Sequence, residues 1–192
     1  MAKNFDYHSI SWPCDLDDPL KQNLVGIASM HTDISVLGLR TGKATLTGVG
    51  YILDGLISVS IPKFNMDSIY GFLLGPKDWL GALAMGEYPS PTVSVEVVKP
   101  VTFLYFPKPN IMSMASRNDQ VYRWLFNIAR INSPKWMQAL ATTAHSKEAR
   151  VAFSLLELAG YKNWDVENNP AVYITQRQLS HITGLSRPRL NE

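Results

Sequence analysis

The stretch "ITQRQLSHITGLSRPRLNE" (Ile174–Glu192) holds two helix starts and one helix stop within nineteen residues. Thr175 opens a T-x-x-Q pattern, so its hydroxyl can accept from the N–H of Gln178 while Gln178 reaches back to the cap residue. Ile174 and Leu179 stand where a hydrophobic staple would close the same start, and a helix is therefore predicted from Gln176. Leu179 and Ile182 give it an inner face. Gly184 supplies the left-handed residue that ends it, and Leu185 plugs the turn. Ser186 then caps a second helix, with Pro188 in the first turn, where a missing N–H is harmless. Helix, glycine turn and helix is the arrangement that lays a second helix in the major groove of DNA. Its early residues, here Arg187 and Arg189, reach base edges, and Arg pairs in two-point fashion with O6 and N7 of guanine. A plain helical hairpin fits the same spacing. Because the second helix has barely begun at Glu192, a further segment carrying its remainder is expected.

Upstream, glycine nearly vanishes after "PKPN" (Pro107–Asn110) and the pattern is helical. Val121, Leu125, Ile128 and Asn132 follow 4-3-4 spacing and fall on one stripe of a long helix. That stripe can pack inside its own domain or form a dimer seam. Pro134 predicts a kink or break, since its ring clashes with the carbonyl of Arg130. "SKEARVAFSLLELA" (Ser146–Ala159) reads as another helix, with Ser146 at the cap, Glu148 in the first turn, and Val151, Leu155, Leu158 and Ala159 inward. "GYKNWDVENNP" reads as a polar loop and "AVYI" as a short strand.

Between about Ser35 and Phe106 the grammar is different. "YILDGLISVSI" (Tyr51–Ile61), "IYGFLLG" (Ile69–Gly75), "TVSVEVV" (Thr92–Val98) and "VTFLYF" (Val101–Phe106) are β-branched and aromatic runs punctuated by glycine and proline. In the third, Val93, Val95 and Val97 share one face and Ser94 and Glu96 the other, the period of a half-buried strand. Many short strands imply a sandwich, jelly roll or small barrel.

Composition narrows the function. Of 192 residues, 18 are Lys or Arg and 16 Asp or Glu, a net +2 that announces no nucleic-acid partner by itself. No apolar run approaches the roughly 18 residues of a membrane span, and the N-terminus lacks a signal peptide's apolar segment, so a cytoplasmic location is expected. One cysteine, Cys14, precludes an internal disulfide, and the four histidines (His8, His31, His145, His181) show no metal-ligand spacing. No acid–base or metal cluster marks an enzyme, and no cofactor is expected.

From about Leu37 to Glu192 the chain resembles the bacterial regulators that include the cyclic-AMP receptor protein and the fumarate–nitrate regulator, the Crp-Fnr family. "ITQRQLSHITGLSR" resembles the family's T-x-x-x-[LI]-[AGS]-x-x-x-G-x-S-R, and "EARVAFSLLELA" its R-x-A-x-x-L-L-x-L-A helix. "YILDGLISVSI" is similar to its strand–Gly–strand hairpin and "GPKDWLGALAM" to its G-D-x-x-G-E turn. The resemblance implies an α+β chain in three parts. These are a jelly-roll effector domain (1–110), a dimerisation helix (111–144) and an incomplete winged helix-turn-helix (145–192). It implies DNA contacts by Gln176 and Arg177 to phosphate and by Ser186 and Arg187, which match the family's S-R, with Arg187 as the base reader and Arg189 beside them. It also implies a seam along Val121, Leu125, Ile128 and Asn132.

Departures from the family bear on the effector. The Glu that would hold a ribose hydroxyl is replaced by Ala82. The Arg for a cyclic phosphate falls near Thr92, and there is no Arg from Lys43 to Ser116. The pair that would contact adenine is Lys135 and Trp136. A phosphate would lack its charge-assisted partner, so no cyclic-AMP response is expected. Clustered cysteines or haem ligands, used by other members as sensors, are lacking too. Trp79, Ala82, Leu83 and Thr92 remain as the candidate effector pocket, although Trp79 and Leu83 could equally fill the core. The expected function is a dimeric transcription regulator with double-stranded DNA, RNA polymerase and an unknown small molecule as partners. The alternative is a ligand-sensing or protein-interaction module that does not bind DNA.

Overall fold

The computed structural model describes residues 5–40, 43–44, 46–61, 70–85, 93–160 and 174–191. Thr92, the "GYKNWDVENNP" stretch after Gly160, and most of "AVYI" lie outside them, and Gly160 itself ends a helix rather than opening the loop. Its first helix, α1 (Asp18–Ile27), was not anticipated: Asp17 caps it by accepting from the Leu20 N–H at 2.8 Å, and Leu20, Leu24 and Val25 turn inward. Strand β1 (Ser29–His31) follows, then the short pair β2 (Leu39–Arg40) and β3 (Lys43–Ala44).

Strands β4 (Gly48–Ile61), β5 (Tyr70–Leu74), β6 (Trp79–Leu80) and β7 (Ser94–Pro107) complete an antiparallel sheet in the order β1-β7-β4-β5, with β6 on β4. Among the described residues the sheet is bent but not closed. "YILDGLISVSI" is not a hairpin here: it lies within one 14-residue strand. Gly55, at φ 89°, sits where the β4–β7 register shifts, and a Cβ on it would meet the Pro100 carbonyl at 2.1 Å. The glycine makes a bulge rather than a turn, because a long strand must coil to wrap a core. "TVSVEVV" from Ser94 onward and "VTFLYF" likewise merge into β7.

One face of the sheet covers an aromatic cluster. Trp79 stacks edge-on against Trp124 at 5.5 Å and lies 4.6 Å from Tyr51, with Phe106 beside them. Trp79 Nε1 donates to the Ser11 carbonyl at 2.8 Å, while the Ser11 N–H donates to the Tyr51 hydroxyl at 2.9 Å, tying the N-terminal segment to the sheet. Helices α2 (Lys108–Ala115) and α3 (Gln120–Thr142) then leave β7. No break occurs at Pro134, which α3 carries inside its length.

Helix α4 (Lys147–Gly160) buries Ser154 and Leu158 and leaves Ala159 exposed, which rotates its inner face from the one expected. Helices α5 (Gln176–Thr183) and α6 (Arg187–Leu190) end the described chain. Leu158 of α4 and Ile182 of α5 join Leu56 and Leu73 in a small apolar cluster on the sheet's other face. At the open edge, the Leu73 N–H donates to Glu157 Oε1 of α4 at 3.2 Å. The Leu73 carbonyl accepts from Lys135 Nζ of α3 at 3.3 Å.

Candidate nucleic-acid interface

The start of α5 is built as its sequence dictates. The Gln178 N–H donates to Thr175 Oγ1 at 3.2 Å, and the Thr175 N–H donates to Gln178 Oε1 at 3.0 Å, a complete capping box. Gly184 at φ 64° ends the helix with its N–H on the Ser180 carbonyl, and Leu185 is buried beneath the turn. Arg150 of α4 donates to the Thr183 carbonyl, fixing the turn from outside. Ser186 has cap backbone geometry but makes no side-chain cap bond, and α6 begins at Arg187 with Pro188 in its first turn.

The predicted contact residues divide. Ser186, Arg187 and Arg189 are exposed side by side. Gln176 is exposed but spends its amide on Asn191 Oδ1 at 2.9 Å, joining the start of α5 to the end of α6. Arg177 is exposed and pairs with Glu96 of β7 at 3.5 Å. From Ile174 to Asn191 there are three Arg and no Asp or Glu, so this end of the molecule is locally basic.

The stripe expected at the dimer seam faces the other way. Val121, Leu125 and Ile128 lie in the aromatic core at 0%, 8% and 0% exposure, and Asn132 Nδ2 donates to the Trp79 carbonyl at 2.9 Å. Sequence spacing found the stripe correctly but not its partner, which is the chain's own sheet. One residue on from Val121 and Leu125, about 100° round the helix, Tyr122 and Phe126 are exposed, as are Met137 and Leu140 further along α3.

Ala82 and Leu83 line an apolar cavity of about 70 Å³ between the sheet and α3. Trp79 lies in the aromatic core instead. Asn132 and the indole of Trp136 are the polar side chains among the lining residues described, and none of these is charged. Trp136 also lines it, its ring edge-on to Phe72 at 4.3 Å, while Lys135 is drawn away to Asp78 at 2.7 Å.

Sequence reading missed a polar patch on the sheet. Ser58 and Ser60 of β4 stand opposite Glu96 and Ser94 of β7, and both serines are buried under α5. The alternation in "ISVSI" beside "TVSVEVV" was the available signal, since it places two polar faces in register. His181 of α5 lies over them: its Nδ1 is 3.2 Å from Ser58 Oγ, and its Nε2 is 3.3 Å from both Ser60 Oγ and Ser94 Oγ. Burial holds the His181 pKa below its usual value, opposed by Glu96 at 3.9 Å and assisted by Arg177.

No protein-family model matches this chain, and no curated protein is similar to it in sequence. Solved structures are similar in shape. A transcriptional regulator assigned to the Crp/Fnr family from Eubacterium rectale is 13% identical, with a TM-score of 0.65 over 92% of this chain and 81% of that one. The c-di-GMP-responsive global regulator CLP of Xanthomonas campestris is 14% identical, with a TM-score of 0.68 over 91% and 88%. A cyclic nucleotide-binding domain containing protein from Listeria monocytogenes is 18% identical, with a TM-score of 0.53 over 85% and 77%. At such identities the likeness speaks for architecture: this chain has an α+β fold like that of the Crp/Fnr-type regulators, an antiparallel sheet followed by the long α3 and the shorter α4, α5 and α6.

Proposed function

We propose that the protein is a dimeric, DNA-binding transcription regulator that does not answer to cyclic AMP. The observation that carries this reading is the capped helix, left-handed Gly184 and exposed Ser186, Arg187 and Arg189 in a stretch, Ile174 to Asn191, with three Arg and no acid. In this reading the division into 1–110, 111–144 and 145–192 separates sensing, dimerisation and DNA contact. Arg187 reads a base and Arg177 a phosphate.

The dimer seam runs along Tyr122, Phe126, Met137 and Leu140, the apolar face of α3 that its own chain leaves uncovered. Pairing there sets two recognition helices about 34 Å apart for a palindromic site. The effector cavity takes an uncharged apolar molecule, in keeping with its lining.

Selection from a random duplex pool, followed by affinity measurements across a salt series, tests the reading. Affinity for the selected site falls steeply with salt. Arg187→Ala weakens it by roughly 1–3 kcal/mol and relaxes one base position. An equal loss on random DNA would reduce Arg187 to a phosphate contact. No salt-dependent binding at all would leave the sensing or interaction module that does not engage DNA.

A further inference from the structure

The sheet patch under α5 has the composition of a reversible contact. Its centre is polar: Ser58, Ser60 and Ser94 meet His181 at 3.2–3.3 Å, and Gln178 Nε2 donates to the carbonyls of Val98 and Val97 at 3.1 and 3.4 Å. Each such bond replaces one to water and adds little net free energy. The apolar contribution on this face is confined to Leu56, Leu73, Leu158 and Ile182, with a few half-buried neighbours. Interfaces of this mixed kind between parts of a chain open more readily than a continuous apolar core.

Protonation biases that opening in a definite direction. The charged groups facing His181 are Glu96 from β7 and Arg177 from its own helix. β4 offers it only hydroxyls, the described side chains of β5 carry no ionisable group, and Arg150 of α4 is turned to the Thr183 carbonyl. The hydroxyls can accept from either ring nitrogen, so hydrogen bonding alone would admit a charged ring. Burial decides otherwise, because Glu96, the one carboxylate within reach among the described residues, stands at 3.9 Å and is shared with Arg177. A histidine whose docked pKa is depressed favours the docked form above its free pKa. That preference is lost as pH falls from the free value toward the docked one.

We propose that Ser58, Ser60, Ser94 and Glu96 form a seat that latches α5 to the sheet through His181, Gln178 and Arg177, and that acidification releases it. While latched, Arg177 is paired with an acid and withheld from phosphate. Release frees it together with the face of α5. The functional consequence rests on the DNA-binding reading, but the latch itself does not.

Amide hydrogen exchange of the full chain tests the latch without DNA, so failure to bind DNA and failure of the latch are separate results. After correction for intrinsic exchange rates, protection of residues 176–184 is expected to fall roughly threefold or more between about pH 7.5 and pH 5.5. Protection in β4 and β7 stays level and reports that the fold is intact. His181→Gln, which keeps a polar group but cannot titrate, abolishes the change. Should that variant unfold, Glu96→Gln carries the test. Losing the opposing carboxylate deepens the depression, so the acid-induced loss grows. Unchanged protection in the wild type, the same change in His181→Gln, or a smaller one in Glu96→Gln overturns the proposal.

Discussion

Glu157 shows how one side chain carries a long-range connection. It reaches from α4 to the Leu73 N–H, and burial raises its pKa against the opposing pull of that N–H and of Lys135. A carboxyl with a raised folded pKa favours the folded state fully below its unfolded pKa, and the favour is lost as pH rises through the folded value. Glu157→Gln keeps an acceptor for Leu73 and removes the charge. The melting temperature of the variant relative to wild type is therefore expected to be higher at about pH 7.5 than at about pH 5. A difference that does not vary with pH would mean that the carboxyl titrates as if in water. Gly55 illustrates the opposite case, a residue with no side chain at work. Its φ of 89° and the Pro100 carbonyl lying where a Cβ would stand leave no room for a side chain. From the sequence its need for glycine is plain, but whether it makes a turn or a bulge depends on β7, which is nearly fifty residues away.

At the level of elements, local signals translated well and partner choices did not. The capping box at Thr175 and Gln178, and Gly184 as the stop, are fixed by neighbours a few residues off, and α5 forms between them as read. The α3 stripe was equally legible as a stripe. What spacing cannot supply is the surface it meets, and Val121, Leu125 and Ile128 meet the chain's own aromatic core. α1 escaped notice although its signals were present: an Asp cap, a proline in the first turn, and Leu20 and Leu24 at helical spacing. The uncovered face of α3 leads to a direct expectation. Met137→Asp places a charge in the proposed seam while touching nothing in the core, where α3 is anchored. Sedimentation velocity should show wild-type dimer and variant monomer with unchanged near-ultraviolet dichroism. A wild-type monomer at tens of micromolar would remove the seam and with it the spacing of the two recognition helices.

For the molecule as a whole, motif order along the chain conveyed the architecture before any single motif was secure. The strand-rich half and helix-rich half both form, and the final helix pair stands where its caps put it. The contact between halves was not legible, since Ser58, Ser60, Ser94 and Glu96 read as an ordinary solvated strand face. Only the return of α5 across more than eighty residues covers them. Around the cavity between the sheet and α3, Ala82 offers no carboxylate, Lys135 is bonded to Asp78, and Trp136 turns to Phe72. Calorimetry with cyclic AMP is expected to give no binding tighter than millimolar. Micromolar affinity would require a cation that the described lining lacks.

The two side chains on the rim of β5 have a further effect. Lys135 and Glu157 occupy the carbonyl and N–H that an incoming strand would use, at the end of the sheet. They come from α3 and α4, the helices that lie between the sheet and α5 along the chain. Any rearrangement that carries α4 away bares a β-edge, and a bared edge recruits other chains into sheet pairing and aggregation. Mobility in this protein thus carries a solubility hazard, which bounds how far and how long its two halves can separate at high concentration.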